Sequence, residues 1–176
     1  AIKESPEDPW AWMQLGDAAK LIQDWNISLW SYLAALLLLP DDESIKRKFI
    51  DSRENILKSH TNIVEFKFHS FKLPQQTAVF LLMGVMNMEI EKIEANFKSL
   101  IKAGFKNMIV DFSGVPAISG LAPSILKKFA LYTSEASGDI WLVKVCDDIN
   151  NMLRLKKLDI KQCKDLDELF LSFQKK

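Results

Sequence analysis

The stretch MIVDFSGVPAISGLAPSILKKFALY, residues 108–132, runs from an apolar segment through a serine- and glycine-rich turn into a second apolar pattern. The first part predicts a buried strand, and the apolar residues of the second part recur at the spacing of a helix. In many α/β proteins, phosphate binding or catalysis takes place at such a strand-to-helix turn. Four polar residues lie in or beside this turn: Asp111, Ser113, Ser119 and Ser124.

Short strands and helices alternate on both sides of this stretch. Residues 63–71 alternate between apolar and polar side chains. After a turn around Pro74, residues 77–84 form a continuous apolar run, which is typical of a strand covered on both faces. A short extended piece precedes the last helix, where Asp165 and Glu168 have the spacing of a capping box. The order β-β-α-β-α-β-α-β-α predicts an α/β fold in which a mixed sheet begins with a hairpin and is covered by helices.

The first part of the chain has a different periodicity, because residues 8–58 contain only helical patterns. Asp8 is a suitable N-cap and Pro9 a suitable first helical residue. A turn is expected at Trp25–Asn26, and the second helix is expected to end at Pro40. The apolar stripes of the first and third helices are Trp12, Leu15, Ala19 and Ile22, and Ile45, Phe49, Ile56 and Leu57.

The two patterns predict two domains. Four of the five tryptophans lie in the first 30 residues, so the composition changes together with the periodicity. We therefore expect an all-α segment over residues 1–59 and an α/β domain over residues 60–176.

The first two helices resemble a tetratricopeptide repeat. The resemblance rests on the positions Trp12, Leu15, Gly16, Ser28, Tyr32, Ala35 and Pro40, and the sequence departs from the pattern at Ala19, where an aromatic residue is usual. Such repeats bind peptides or proteins on the concave face made by the first helix of each pair. Here the resemblance implies that Trp10, Met13, Asp17 and Lys20 lie on that face, although for Trp10 we favour the interpretation that it covers the neighbouring domain.

The repeat period also bears on the length of the helical segment. Pro6 precedes Pro40 by one repeat length, and SPEDPWAW looks like the connection from an earlier repeat. One period after Trp12 the pattern fails, so the third helix is interpreted as a cap. Because single repeats are stable by stacking, we expect this segment to be the C-terminal part of a longer repeat array.

Composition excludes several classes of function. The 23 Lys and Arg residues balance 23 Asp and Glu residues, so no charge excess favours nucleic acid or an anionic membrane as a partner. Two cysteines, Cys146 and Cys163, and two histidines form neither a disulfide framework nor a metal-ligand set, and we expect no metal or other cofactor. The longest apolar run, LWSYLAALLLLP, has about a dozen residues, fewer than the roughly 20 of a membrane-spanning helix. The chain is therefore predicted to be cytoplasmic, with reduced thiols and without direct membrane insertion.

The serine-rich turn matches no common catalytic motif. No serine lies in the G-x-S-x-G frame of a nucleophile elbow, and no histidine follows His69 to act as the base of a triad. Gly114 and Gly120 do not have the spacing of a phosphate-binding loop, and no lysine follows them. A site for Mg²⁺ at Asp111 would need carboxylates at the end of the first strand, which reads FHSFKLP. An enzyme that uses Asp111 with Mg²⁺ is thus the least favoured alternative, and a non-enzymatic role is expected.

Residues 62–174 resemble a STAS domain, the fold of anti-sigma-factor antagonists. The resemblance rests on the strand end IVDFSGV, on Ile118 a few residues later, and on the tail WLVKVCDDINNMLRLKKLDIKQCKDLDELF. In signalling members, a partner kinase phosphorylates the serine of an Asp-Ser-x-Gly sequence at a helix N-terminus, where free N–H groups and the helix dipole favour a phosphate. The resemblance implies a partner-docking loop, formed here by Ser113, Pro116, Ser119, Gly120 and Ser124.

The sequence departs from the family at this loop. Aligned without gaps, Ser119 falls where the aspartate belongs and Gly120 falls where the phosphoserine belongs. This register keeps Ile125, Leu126 and Phe129 on the buried face of the helix, so we favour it over a register in which Ser119 is the phosphoacceptor. Ser119 is interpreted as an ordinary N-cap, and regulated phosphorylation is not expected.

Together these patterns predict a non-enzymatic protein–protein interaction module of bacterial signalling. A tetratricopeptide-like helical segment is joined to a degenerate STAS domain, with transcription regulation through a sigma-factor pathway as the leading context. The expected partner is a protein such as an anti-sigma kinase. The alternative is a STAS subunit bound to a membrane transporter, and a homodimer is also compatible with the sequence.

Overall fold

The computed structural model describes residues 6–59, 67–84, 90–115, 122–155 and 160–174. Three helices come first, α1 (Pro9–Leu21), α2 (Trp25–Leu38) and α3 (Glu43–Ser59). The elements that follow are β1 (Lys67–Leu73), β2 (Thr77–Met83), α4 (Ile90–Lys102), β3 (Asn107–Gly114), α5 (Ala122–Glu135), β4 (Ile140–Val143), α6 (Asp147–Leu155), β5 (Lys161–Cys163) and α7 (Leu166–Gln174). This order confirms the predicted alternation. Within the described ranges, no helix combines the length and apolar character needed to cross a membrane.

The Cα positions divide into two compact units. One, the helical unit, contains α1, α2 and α3, and the other, the α/β unit, contains β1 to β5 with α4, α5 and α6. The division falls within α7, after Leu169.

Capping side chains set the helix starts in the helical unit. The Trp10 N–H donates to Asp8 Oδ1 at 2.9 Å, as the predicted N-cap requires. The predicted turn at Trp25–Asn26 is wrong, because α2 already begins at Trp25. Asp24 is the N-cap of α2 and accepts the Ile27 N–H at 3.0 Å, so the chain turns earlier, at Ile22 and Gln23.

Small residues allow the three helices of this unit to pack closely. A side chain at Gly16 would place its Cβ 2.5 Å from Cε1 of Tyr32 on α2, so only glycine fits this crossing without displacing the ring. At the crossing of α2 with α3, the hydroxyls of Ser28 and Ser52 lie 2.8 Å apart and are both buried. Helix α2 therefore packs against α1 on one side and α3 on another.

The α/β unit is built on one five-stranded sheet with the strand order β1-β2-β3-β4-β5. Strands β1 and β2 form the predicted antiparallel hairpin, and β2, β3, β4 and β5 are parallel neighbours. In the register, Asp111 of β3 lies between Leu81 of β2 and Val143 of β4. The end of β3 is therefore central in the sheet.

Helices α4 and α5 pack on the same face of this sheet. Their apolar stripes meet alternate residues of β2 and β3 in one core, whose aromatic centre is formed by Phe80, Phe97 and Phe129. The rings of Phe97 and Phe129 are stacked with centroids 4.0 Å apart, and Phe80 lies 5.3 Å from Phe97. This packing fixes the position of α5 relative to the end of β3.

Candidate functional site

A backbone hydrogen bond and the side chain of Asp111 hold the end of the strand that precedes the serine-rich turn. The carboxylate of Asp111 is buried and its Oδ1 accepts the Ser113 N–H at 2.8 Å. The Val115 N–H donates to the Phe112 carbonyl oxygen at 2.9 Å. Asp111 therefore holds the chain in a tight turn as it leaves β3.

Gly114 brings this turn against the neighbouring strand. A Cβ at Gly114 would lie 2.8 Å from the carbonyl oxygen of Leu82, a backbone atom that cannot rotate away. The Gly84 N–H donates to the Gly114 carbonyl oxygen at 2.8 Å, and the register of β2 with β3 is irregular between Leu81 and Met83. A glycine is required at this position because the two strand ends approach so closely.

Two of the five predicted docking-loop residues lie in the described part of the chain. Ser113 is half-buried at the end of β3, and Ser124 is exposed in the first turn of α5. Pro116, Ser119 and Gly120 lie outside the described residues. The interpretation of Ser119 as an N-cap therefore stays a prediction.

Beyond Ser124, α5 presents a polar surface with one large apolar residue at its centre. We call this surface the α5 outer face, and its members are Ser124, Lys127, Lys128, Leu131, Ser134 and Glu135, all of them exposed. Their spacing of three and four residues places them on one side of the helix. Leu131 is 54% exposed, whereas Ile125, Leu126 and Phe129 of the same helix are buried.

The orientation of the α5 outer face is held by Glu94 of α4. Its carboxylate accepts Lys128 Nζ at 2.6 Å, the Tyr132 hydroxyl at 2.6 Å and Lys98 Nζ at 3.0 Å. These bonds, that of Lys128 foremost, lower the pKa of Glu94 to about 2. The charged form of Glu94 thus clamps α4 to α5 at every pH near neutrality.

A shallow groove of about 310 Å³ lies beside this clamp. Its walls come from Lys98, Ile101 and Lys102 of α4 and from Tyr132 and Glu135 at the end of α5. The groove is mostly apolar and open to solvent.

The acidic and thiol side chains of the described residues do not form a metal site. In the part of the chain that the structure describes, no three His, Cys, Asp or Glu side chains come together as a metal site. Both cysteines are free thiols. Burial, helped by nearby acidic groups, raises the pKa of the Cys163 thiol to about 11, so this thiol is inert near neutrality.

In the helical unit, the four residues expected on the concave face differ in exposure. Trp10 is 52% exposed, and Met13, Asp17 and Lys20 are half-buried. Trp10 and Met13 are the two apolar members of this set, so they present its apolar surface.

The two charged members of the set are paired with α3. Lys48 Nζ lies 2.6 Å from Asp17 Oδ2, and Lys20 Nζ lies 2.5 Å from Asp51 Oδ2. Burial raises the pKa of Asp17, but the hydrogen bonds from Lys48 and Tyr32 outweigh burial and lower it below its ordinary value. Asp17 and Lys20 thus connect α1 to α3.

Sequence reasoning missed Leu131 and Glu94. The signal for Leu131 was present, because it is a large apolar residue that falls outside the buried stripe of its own helix. The spacing of Glu94 and Lys98 is a local signal for an ion pair within α4, but nothing local indicates the contacts with Lys128 and Tyr132, which are 34 and 38 positions away.

Comparison with solved structures identifies the fold of the α/β unit. An anti-sigma factor antagonist, SpoIIAA in its unphosphorylated form, superposes with a TM-score of 0.54 at 14% identity, covering 62% of this chain and 98% of that chain. The Bacillus cell fate determinant SpoIIAA in the phosphorylated form gives a TM-score of 0.52 at 14% identity, covering 58% and 96%. An anti-sigma-factor antagonist (STAS) domain protein from Planctomyces limnophilus gives 0.47 at 14% identity, covering 64% and 99%. No family model matches the sequence, and no curated protein matches it. The mixed α/β fold predicted for this unit is confirmed as the fold of anti-sigma-factor antagonists.

Proposed function

We propose that this chain is a non-enzymatic protein–protein interaction module that acts as a degenerate anti-sigma-factor-antagonist-like regulator in bacterial signalling. The observation that carries the proposal is the superposition of the α/β unit on almost the whole length, 98%, of an anti-sigma factor antagonist. A fold does not determine a function, so the proposal also depends on the surface that this chain presents.

The proposed docking surface consists of the end of β3 and the α5 outer face. Leu131 supplies an exposed apolar anchor, and the lysines and serines around it form a polar rim. Interfaces commonly have this arrangement, in which a few central side chains carry most of the binding energy. Because Glu94 clamps α5 to α4, the anchor is held in place before a partner arrives, and little conformational entropy is lost on binding.

In our proposal the surface docks its partner without a phosphate switch. In the ungapped alignment to the family pattern, Gly120 falls at the position of the phosphoserine and Ser119 at the position of the preceding aspartate. A glycine cannot accept a phosphate, and Ser119 lacks the acidic neighbour on its N-terminal side, where Ile118 stands. The partner would therefore recognise the shape of the turn and the apolar anchor rather than a charge added at the helix N-terminus.

The proposal can be tested by quantitative affinity capture from the source cells with three versions of the chain. These are the unmodified sequence, Leu131→Glu, and Leu155→Glu as a matched control, since Leu155 is an exposed leucine at the end of α6. We expect an ATP-binding kinase of the anti-sigma class to be enriched by the unmodified chain and by the control, and to be reduced at least about tenfold by Leu131→Glu. Far-UV circular dichroism of each variant checks that the fold is intact.

Three results would overturn the proposal. They are equal recovery of the kinase with both variants, recovery of a transporter subunit in its place, and stoichiometric phosphate on Ser119 after incubation of the chain with the recovered kinase and ATP. The second result would establish the transporter role instead. The third would show that a switch operates despite the altered sequence.

A further inference from the structure

The two edges of the five-stranded sheet differ in length and in protection. Strand β5 has three residues, and its exposed Lys161 forms an ion pair with Asp139. Strand β1 has seven residues and contains no proline, and its register with β2 runs without a bulge. Short strands, prolines, bulges and charges keep sheet edges from pairing with other strands, so β1 is the less protected edge.

The outer side of β1 is accessible. Among the described strands β1 has one neighbour, β2, so the N–H and C=O groups on its other side have no strand to bind within the described ranges. His69 and Lys72 are exposed, and Ser70 and Phe71 are half-buried. The ammonium of Lys72 lies 5.6 Å from the centre of the Phe105 ring, so this charge is directed at its own unit.

The sequence of β1 is complementary to itself in an antiparallel pairing. When Ser70 lies opposite Ser70 of a second copy, Phe68 lies opposite Lys72, and His69 lies opposite Phe71. In this register no charge meets a like charge, and each aromatic ring meets a cation or another ring. Such cross-strand pairs stabilise neighbouring strands.

The two kinds of pair lie on opposite faces of the sheet, because successive side chains of a strand alternate. Phe68 is on the face of Phe80, with which its ring is stacked at a centroid distance of 6.5 Å. His69 and Phe71 are on the other face, with ring centroids 6.4 Å apart. The second copy would add its own His69 and Phe71 to this pair and form a cluster of four rings.

We propose that β1 pairs with β1 of a second copy of this chain, antiparallel and centred on Ser70, so that the two sheets join into one. A two-fold axis passes between the two Ser70 residues, which is the commonest symmetry of homo-oligomers. One strand edge buries less than the roughly 1,200 Å² of a standard interface, so the dimer is reversible, with a Kd in the micromolar range. The pairing does not use the α5 outer face and is therefore independent of the proposed function.

Sedimentation velocity of the 176-residue chain, over concentrations from about 1 to 200 µM, measures the association. Ser70→Lys places two like charges opposite each other on the axis, which destabilises a strand pair. Ser134→Lys is the matched control, because Ser134 is exposed on α5 and lies outside β1. We expect the unmodified chain and the control to dimerise alike, and Ser70→Lys to weaken the association by about fivefold or more. Far-UV circular dichroism checks the fold of both variants.

Disulfide crosslinking tests the register. In a background with Cys146 and Cys163 replaced by alanine, Ser70→Cys brings two thiols together on the axis. Directly opposed residues have Cα atoms about 4.5–5.5 Å apart, within the range of a disulfide. Lys72→Cys is the control, because its counterpart lies four positions along the partner strand, about 13 Å away. With diamide as the oxidant, we expect a crosslinked dimer of Ser70→Cys by intact mass, and at least about tenfold less of it for Lys72→Cys.

A monomer at every concentration would refute the pairing. Equal association of Ser70→Lys and Ser134→Lys would assign the dimer to another surface, and crosslinking of Lys72→Cys equal to that of Ser70→Cys would contradict the register. If Ser70→Lys is misfolded, the crosslinking result decides. Capture of a kinase through Leu131 is measured separately, so this inference and the proposed function can fail independently.

Discussion

Replacing Gly16 with alanine has two effects of opposite sign on the stability of the helical unit. Alanine is favoured over glycine inside a helix by about 1 kcal/mol, so propensity alone predicts a stabilised helical unit. The new Cβ, however, would lie 2.5 Å from Tyr32 Cε1 and 2.8 Å from Tyr32 Cδ1. Carbon atoms in favourable contact are about 3.5–4.0 Å apart, so the overlap is close to 1 Å.

The ring of Tyr32 cannot move away without further cost. The side chain is fully buried, and its hydroxyl donates to Asp17 Oδ1 at 2.7 Å. Lys48 binds the same carboxylate at 2.6 Å, so the acceptor is itself held in place. Overpacking of this kind costs about 1–3 kcal/mol, and a weakened hydrogen bond adds about 1 kcal/mol. After the propensity gain, we expect Gly16→Ala to lower the free energy of unfolding by about 1–3 kcal/mol.

Urea unfolding followed by tryptophan fluorescence measures this change, because four of the five tryptophans lie in the first 30 residues. Ala18→Gly is the matched control: it changes an exposed residue of the same helix and should cost about 1 kcal/mol through propensity alone. In a Tyr32→Leu background the overlap is removed, and Gly16→Ala should become stabilising by about 1 kcal/mol. Stabilisation of the unmodified chain by Gly16→Ala would refute the reasoning.

Two predictions concern the α/β unit. Glu94→Gln should lower the free energy of unfolding of the α/β unit at neutral pH by about 1–2 kcal/mol. The expected loss is small because Lys98 and Lys128, which bind Glu94, are half-exposed and solvent screens their ion pairs. Since the pKa of Glu94 is lowered from 4.5 to about 2, this stability is present above pH 4.5 and is lost as the pH falls towards 2, so urea titrations of the two proteins should converge in acid. The Cys163 thiol, with a pKa raised by burial to about 11, should react with an aromatic disulfide reagent at about pH 8 much more slowly than Cys146; equal rates in the Cys163→Ala and Cys146→Ala variants would contradict its burial.

The parts of the fold that the sequence predicts are those set by local interactions. Alternating runs and helical stripes identify the order of the elements, and Asp8 marks the start of α1 because an N-cap acts on the next two or three residues. The turn between α1 and α2 was misplaced for the same local reason. The side chain of Asp24 accepts the Ile27 N–H and so caps α2. Trp25 and Asn26 therefore belong to the first turn of α2, and the loop ends before them.

The surfaces depend on contacts between residues distant in sequence, and these were not predictable. In the sequence, Glu94 is an ordinary polar residue of a helix. Only the packing of α5 beside α4 brings Lys128 and Tyr132 to its carboxylate. Asp17 and Lys20 were interpreted as ligand-facing residues, and no pattern in α1 indicates their ion pairs with α3. The strand order also needed the structure, because alternation fixes the sequence of elements but not which strands are neighbours.

In our proposal, the docking surface at the end of β3 persists although the phosphate switch is lost. Asp111 and Gly114 shape the turn through contacts with backbone atoms, Asp111 with the Ser113 N–H and Gly114 with Leu82 and Gly84. Glu94 holds the α5 outer face through a separate set of bonds on α4. In our proposal, Ser119 and Gly120 stand in place of the aspartate and the phosphoserine, which removes a source of charge, whereas the contacts of Gly114 with Leu82 and of Glu94 with Lys128 involve other residues. In our proposal, a partner of this chain is retained by the shape of the turn and by Leu131, and its binding does not depend on phosphorylation.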